Sequence, residues 1–105
     1  MNEITPKELD QWKRSGKEFQ LIDVREPYEA EACNLGGLLI PMGEILERLA
    51  EIRKDVTVVI HCRSGGRSGA VINALSRRYG YENLVNLSGG ILAYGRDVDP
   101  TIVCE

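Results

Sequence analysis

Val56-Thr57-Val58-Val59-Ile60-His61-Cys62-Arg63-Ser64-Gly65-Gly66-Arg67-Ser68 passes from a β-branched run into a glycine-rich turn, and a helical pattern, Gly69 to Tyr79, follows. β-Branched side chains suit extended backbone, so Val56–Ile60 predicts the firmest strand in the chain. The strand delivers Cys62 to the edge of a sheet. Gly65 and Gly66 are read as letting backbone N–H groups turn inward, Arg63 and Arg67 add positive charge, and the helix aims its positive end at the same point. Such surroundings favour a thiolate, the reactive form of cysteine.

Strands and helices alternate outward from this unit. Upstream, Thr5-Pro6-Lys7-Glu8 is a capping box with proline at the first helical position, and Ile4 and Leu9 are spaced as a hydrophobic staple. That helix carries Leu9 and Trp12 inward and stops near Gly16. Phe19–Val24 reads as a short buried strand ended by Asp23-Val24-Arg25, and Pro27 opens a short helix through Ala32. Leu38-Leu39-Ile40 is a brief strand closed by Pro41. Ile45, Leu46, Leu49 and Ile52 recur at helical spacing behind it. Downstream, Val71, Ile72, Leu75 and Tyr79 form one helix face, Arg77 and Arg78 suit its negative end, and Gly80 stops it. Leu84–Leu87 reads as a further strand, and Ser88-Gly89-Gly90 turns into a last short helix around Ile91 to Tyr94. The alternation predicts an α/β fold with a mostly parallel sheet and helices on both faces, where ligands bind beyond the carboxyl ends of strands.

The 105 residues read as one domain, 1–105, without repeat or linker. A net charge of −3 gives no general attraction to nucleic acid or an anionic membrane, so anion binding must be local. No stretch approaches a membrane span, and the first residues lack a basic region followed by an apolar run, which leads to a cytoplasmic expectation. Three cysteines, Cys33, Cys62 and Cys104, without CxxC spacing, and one histidine make a poor zinc set. They read as free thiols in a reducing compartment, Cys33 half-buried and Cys104 exposed in the tail, with a resolving role for Cys104 kept as an alternative. No metal or cofactor is expected.

Three motifs, in order, resemble the rhodanese-like sulfurtransferase domains: Leu21-Ile22-Asp23-Val24-Arg25-Glu26-Pro27-Tyr28-Glu29, the Cys62–Ser68 loop, and Asn86-Leu87-Ser88-Gly89-Gly90-Ile91. The resemblance implies five parallel strands flanked by helices, with Cys62 holding a sulfane sulfur as a persulfide. Asp97-Val98-Asp99-Pro100 and Cys33-Asn34-Leu35-Gly36-Gly37 look more like the domain fused to enzymes that activate small sulfur-carrier proteins. Two departures stand out: the segment 33–38 is about one residue shorter than usual, and Tyr94 stands where the family has tryptophan.

The implied reaction moves sulfur from a small anionic donor such as thiosulfate through Cys62 to cyanide, a thiol or a sulfur-carrier protein. Arg63 is assigned to solvent and the anionic donor, Arg67 to closing the loop and pairing with a carboxylate. Ser64 and Ser68 either donate to the extra sulfur or cap the helix. Asp23 and Arg25 read as an ion pair that buttresses the loop, not as an acid and base. His61 should turn away from the sulfur, because adjacent strand residues face opposite sides. Two rivals are a persulfide relay module and a cysteine phosphatase or arsenate reductase. The second is disfavoured because four residues, not five, separate Cys62 from Arg67.

Overall fold

A computed structural model of the chain describes residues 1–104. Its centre is a parallel sheet of five strands: β1 (Glu3–Ile4), β2 (Gln20–Asp23), β3 (Leu38–Leu39), β4 (Val58–His61) and β5 (Leu84–Leu87), in the order β1-β5-β4-β2-β3. The connections hold α1 (Pro6–Ser15), α2 (Pro27–Ala32), α3 (Gly66–Tyr79) and α4 (Gly90–Asp97). β4 lies in the middle, so the chain leaves the sheet at Cys62 from its most enclosed strand.

Local chemistry explains most boundaries. The Thr5 hydroxyl accepts from the Glu8 N–H while the Glu8 carboxylate accepts from the Thr5 N–H, which satisfies two otherwise free donors at the start of α1. Gly16 ends α1 in the left-handed conformation. α2 opens with a similar reciprocal pair between Glu26 and Glu29.

Burial divides the core into two layers. Ile22, Val58, Ile60 and Leu84 pack with Val71, Ile72 and Leu75 of α3 on one face of the sheet, and Cys62 belongs to this layer. Val59 and Leu87 pack with Leu9, Ile91 and Tyr94 on the other face, joined by Cys33, Leu35 and the partly buried Trp12 and Phe19. Each fully buried aliphatic side chain contributes roughly 1.5–3 kcal/mol before chain entropy is charged against it.

Three sequence expectations need correction. The apolar series Ile45 to Ile52 forms a 3-10 segment, Met42–Glu51, broken at Arg48 (φ −123°, ψ 25°), not a regular helix. Gly43 is a weak helix former, and the Met42 N–H at its start is committed to the Val24 carbonyl. Second, α3 starts at Gly66, three residues before the apolar pattern, so Gly66, Arg67 and Ser68 form its first turn. Third, Glu3–Ile4, of which Ile4 alone is read in sequence, as half of a staple, is also one of the two edge strands, paired with Asn86 and Leu87.

Candidate active site around Cys62

The sulfur of Cys62 lies where β4 hands over to α3. Gly65, with φ +110°, turns the chain so that its own N–H points back at Sγ, 3.1 Å away. The Ser68 N–H, one of the free donors in the first turn of α3, reaches the same atom at 3.4 Å, and the Ser68 hydroxyl lies 3.3 Å from it. Burial pushes the Cys62 thiol up. The Ser68 hydroxyl and the N–H groups of Ser68, Gly65 and Ser64 outweigh it, and the net shift is downward. Only 1% of Cys62 is exposed, so the sulfur forms the floor of the loop and Arg63, Ser64 and Gly66 form its open rim.

A second clamp acts on the loop from α4. The Ile91 N–H donates to the Cys62 carbonyl at 3.0 Å and the Leu92 N–H to the Arg63 carbonyl at 3.1 Å. These donors belong to the first turn of α4, so one helix fixes the carbonyl side of the loop while another supplies its N–H groups. Gly90 (φ +64°) permits the approach, because a Cβ there would collide with the Arg63 carbonyl and lie 2.7 Å from the Cys62 carbonyl oxygen.

The two arginines have different surroundings. Arg67 is bound through both terminal nitrogens to Glu29 of α2, at 2.7 and 2.9 Å. This guanidinium, with a smaller backbone contribution from Glu26, holds the Glu29 carboxyl down at about 2 against the opposition of burial. Arg63 is exposed and has no carboxylate partner among the described residues. Ser68 lies inside the first turn of α3, so it is not the cap; Gly65 occupies the cap position. Gly66 has open space where a Cβ would go and does not take positive φ, so the expectation that both glycines are required holds for Gly65 alone.

Asp23 and Arg25 form the expected ion pair, and it braces the end of α2 where the sequence suggested the loop. The Arg25 guanidinium donates to both oxygens of Asp23, at 2.8 to 3.2 Å, and to the Cys33 carbonyl at 2.6 Å, with both side chains almost fully buried. Breaking one half of such a pair costs about 3–5 kcal/mol, because the survivor is left as a bare buried charge. His61 is fully buried on the opposite sheet face from Cys62. Burial lowers its pKa against the pull of Asp23, and its Nε2 has no partner among the described residues.

The cysteine reading is overturned. Cys33 and Cys104 are joined in a disulfide across 71 residues, with Cα atoms 5.3 Å apart, and Cys62 alone is free. Sequence spacing gave no signal because the partners meet only after α4 carries the tail back beside the end of α2. The free-thiol argument for a reducing compartment therefore lapses. Among the described residues no helix is long and apolar enough to cross a membrane.

Three residues at the site, Glu29, Asn86 and Gly90, lie within the quoted motifs but carry no individual role in the sequence reading. Glu29 read as part of a helix pattern and Asn86 as one residue of a strand. Gly90 read as a turn, although a double glycine before a helix could have signalled a close backbone approach.

The sequence profile of the Rhodanese-like domain matches residues 5–97. The chain is 39% identical over 103 residues to the "Probable adenylyltransferase/sulfurtransferase MoeZ" of Mycobacterium tuberculosis, a match covering 95% of this chain and 26% of that protein. It is also 39% identical over 106 residues to a sulfurtransferase of Allochromatium vinosum, covering 100% of this chain and 98% of the relative. Among solved structures, a rhodanese-like domain protein from Staphylococcus aureus matches with a TM-score of 0.84 and 30% identity, over 100% of this chain and 99% of that one.

Proposed function

This chain belongs to the rhodanese-like domain family, with relatives named as sulfurtransferases, and from that premise we propose that it transfers sulfane sulfur through a persulfide on Cys62. The Cys62 thiolate attacks the outer sulfur of a small anionic donor such as thiosulfate. The new S–S bond forms as the donor's own S–S bond breaks, and sulfite leaves with the bonding pair. An acceptor nucleophile, such as cyanide or a thiolate of a small molecule or a partner protein, then bonds to the outer sulfur as the persulfide S–S bond breaks, which regenerates the thiolate. No separate base is needed once the thiol has ionised.

The observation that carries this reading is the convergence of the Gly65 and Ser68 N–H groups on one sulfur, at 3.1 and 3.4 Å. Donors fixed before the reaction stabilise negative sulfur without reorganising, which is where catalysis gains most. A lowered thiol pKa alone gains little, since nucleophilicity falls as basicity falls. Arg63, exposed at the rim and without a carboxylate partner among the described residues, supports a role in drawing in the anionic donor. Ser64 and Gly66 border the path to the sulfur. Arg67 braces the loop and lends it positive potential. Its engagement with Glu29 also speaks against the phosphatase reading, in which that guanidinium would have to face a phosphate.

Mass spectrometry after thiosulfate treatment tests the proposal. One added sulfur is expected on Cys62 and none on Cys62→Ala; an unmodified Cys62 in folded protein overturns it.

A further inference from the structure

Asn86 of β5 is aligned with Ile60 of β4, two residues before Cys62, so its side chain projects from the sheet face that carries the sulfur. It is buried, and its two ends have different tasks. Its Nδ2 donates to the Gly65 carbonyl at 3.2 Å. A carbonyl only accepts, so this contact fixes the amide's orientation and leaves Oδ1 facing Ser68. The Ser68 hydroxyl lies 2.6 Å from that oxygen and 3.3 Å from both Cys62 Sγ and the Gly65 carbonyl, a carbonyl that already accepts from Asn86 Nδ2 and the Gly69 N–H.

A hydroxyl has one proton. With Cys62 as a thiol, the Ser68 O–H donates to Asn86 Oδ1, and the Ser68 oxygen accepts from the Cys62 S–H. With Cys62 as a thiolate, the sulfur needs that proton, and Asn86 Oδ1 then loses the one donor it has among the described residues. A buried acceptor left bare opposes the swing. We propose that Asn86 is a positioning residue: its amide oxygen competes with the Cys62 sulfur for the Ser68 hydroxyl proton and so sets how readily that sulfur carries negative charge. On ionisation the thiol proton passes to solvent base, while the Ser68 O–H bond stays intact and only rotates.

Other charges near the sulfur are accounted for. Arg67 of α3 is paired with Glu29 of α2 and still interacts with the Cys62 charge, a background common to every variant compared below; Arg63 lies at the solvent rim, Asp23 and Arg25 pair with each other, and β5 contains no ionisable residue. His61 of β4 lies across the sheet, and Arg96 and Asp97 of α4 pair with each other at its far end. The importance of this competition for sulfur transfer rests on the function proposed above, but the competition itself is measurable without any sulfur donor.

The test is ultraviolet titration of the thiolate, each protein being read against the same background carrying Cys62→Ala. Asn86→Leu removes the nearer competing oxygen; the Gly65 carbonyl, 3.3 Å from the Ser68 hydroxyl, keeps its bond from the Gly69 N–H at 3.0 Å and so competes less for the hydroxyl. The midpoint should fall by about one pH unit, a tenfold gain in thiolate over thiol at a pH below the midpoint. Ser68→Ala should move it upward. In the Ser68→Ala background, Asn86→Leu should have no further effect. An unchanged or raised midpoint in Asn86→Leu, or an equal shift in both backgrounds, overturns the proposal. Asn86→Ala, smaller and equally unable to accept, carries the same expectations should the leucine variant fail to fold. Failed persulfide formation with a normal titration pattern would count against the transfer reading and leave Asn86's role standing.

Discussion

Glu29 and Arg67, 38 residues apart, meet in two parallel hydrogen bonds of 2.7 and 2.9 Å that tie α2 to the first turn of α3. Glu29 is mostly shielded, whereas about a third of the Arg67 side chain faces water. The pair therefore stabilises by less than its geometry alone implies.

Glu29→Gln keeps an oxygen for Arg67 but removes the charge. We expect a loss of about 1–2 kcal/mol at neutral pH after allowance for solvent screening. The Glu29 carboxyl is depressed to about 2, so its stabilisation is complete above its ordinary value of 4.5 and fades as the pH falls toward 2. Urea unfolding of both proteins at pH 7, 4 and 2.5 should show the difference shrinking with acidity. A difference constant across that range would rule out the charge as its source.

The three glycines at the site should separate cleanly. Gly65→Ala forces a side chain onto φ +110°, costing roughly 1–3 kcal/mol, and displaces an N–H aimed at the sulfur. Persulfide yield should fall more than tenfold. Gly90→Ala should also lose persulfide, because its methyl group enters the space of the Arg63 carbonyl. Gly66→Ala has room and should be neutral or stabilising by up to about 1 kcal/mol, with yield unchanged. Thermal melts beside the persulfide assay distinguish lost folding from lost geometry; a damaged Gly66→Ala would contradict the site as described.

Thiol counting checks the covalent tie. Unfolded without reductant, the protein should take up one equivalent of alkylating reagent, and after reduction three. The reduced form should be about 2–4 kcal/mol less stable, because closing a long loop restricts the unfolded chain. Three reactive thiols before reduction would show that the tie is not formed.

The sequence exposed what is local and concealed what is not. The α1 cap, the β4 strand, the thiol loop and the stop signals at Gly16 and Gly80 each depend on residues within a few positions, and they were legible. The start of α3 was not, because Gly66 reads as turn until the first-turn N–H groups are seen to serve the sulfur. Asp23 with Arg25 was inferable as an ion pair from its place at a strand end. Glu29 with Arg67, Asn86 with Ser68 and Cys33 with Cys104 depend on crossovers that spacing does not encode. The paired strand of Glu3 and Ile4 was hidden by its length, since two residues carry no alternation.

The sheet that separates the two core layers also keeps two sulfur chemistries apart. Cys62 faces α3, and the Cys33–Cys104 link lies with α1 and α4 on the other side, with no further cysteine in the chain to join them. An oxidant or reductant acting on the tail therefore has no internal route to whatever Cys62 holds. The wall of β-strands lets the tail link open or close with no thiol exchange at Cys62.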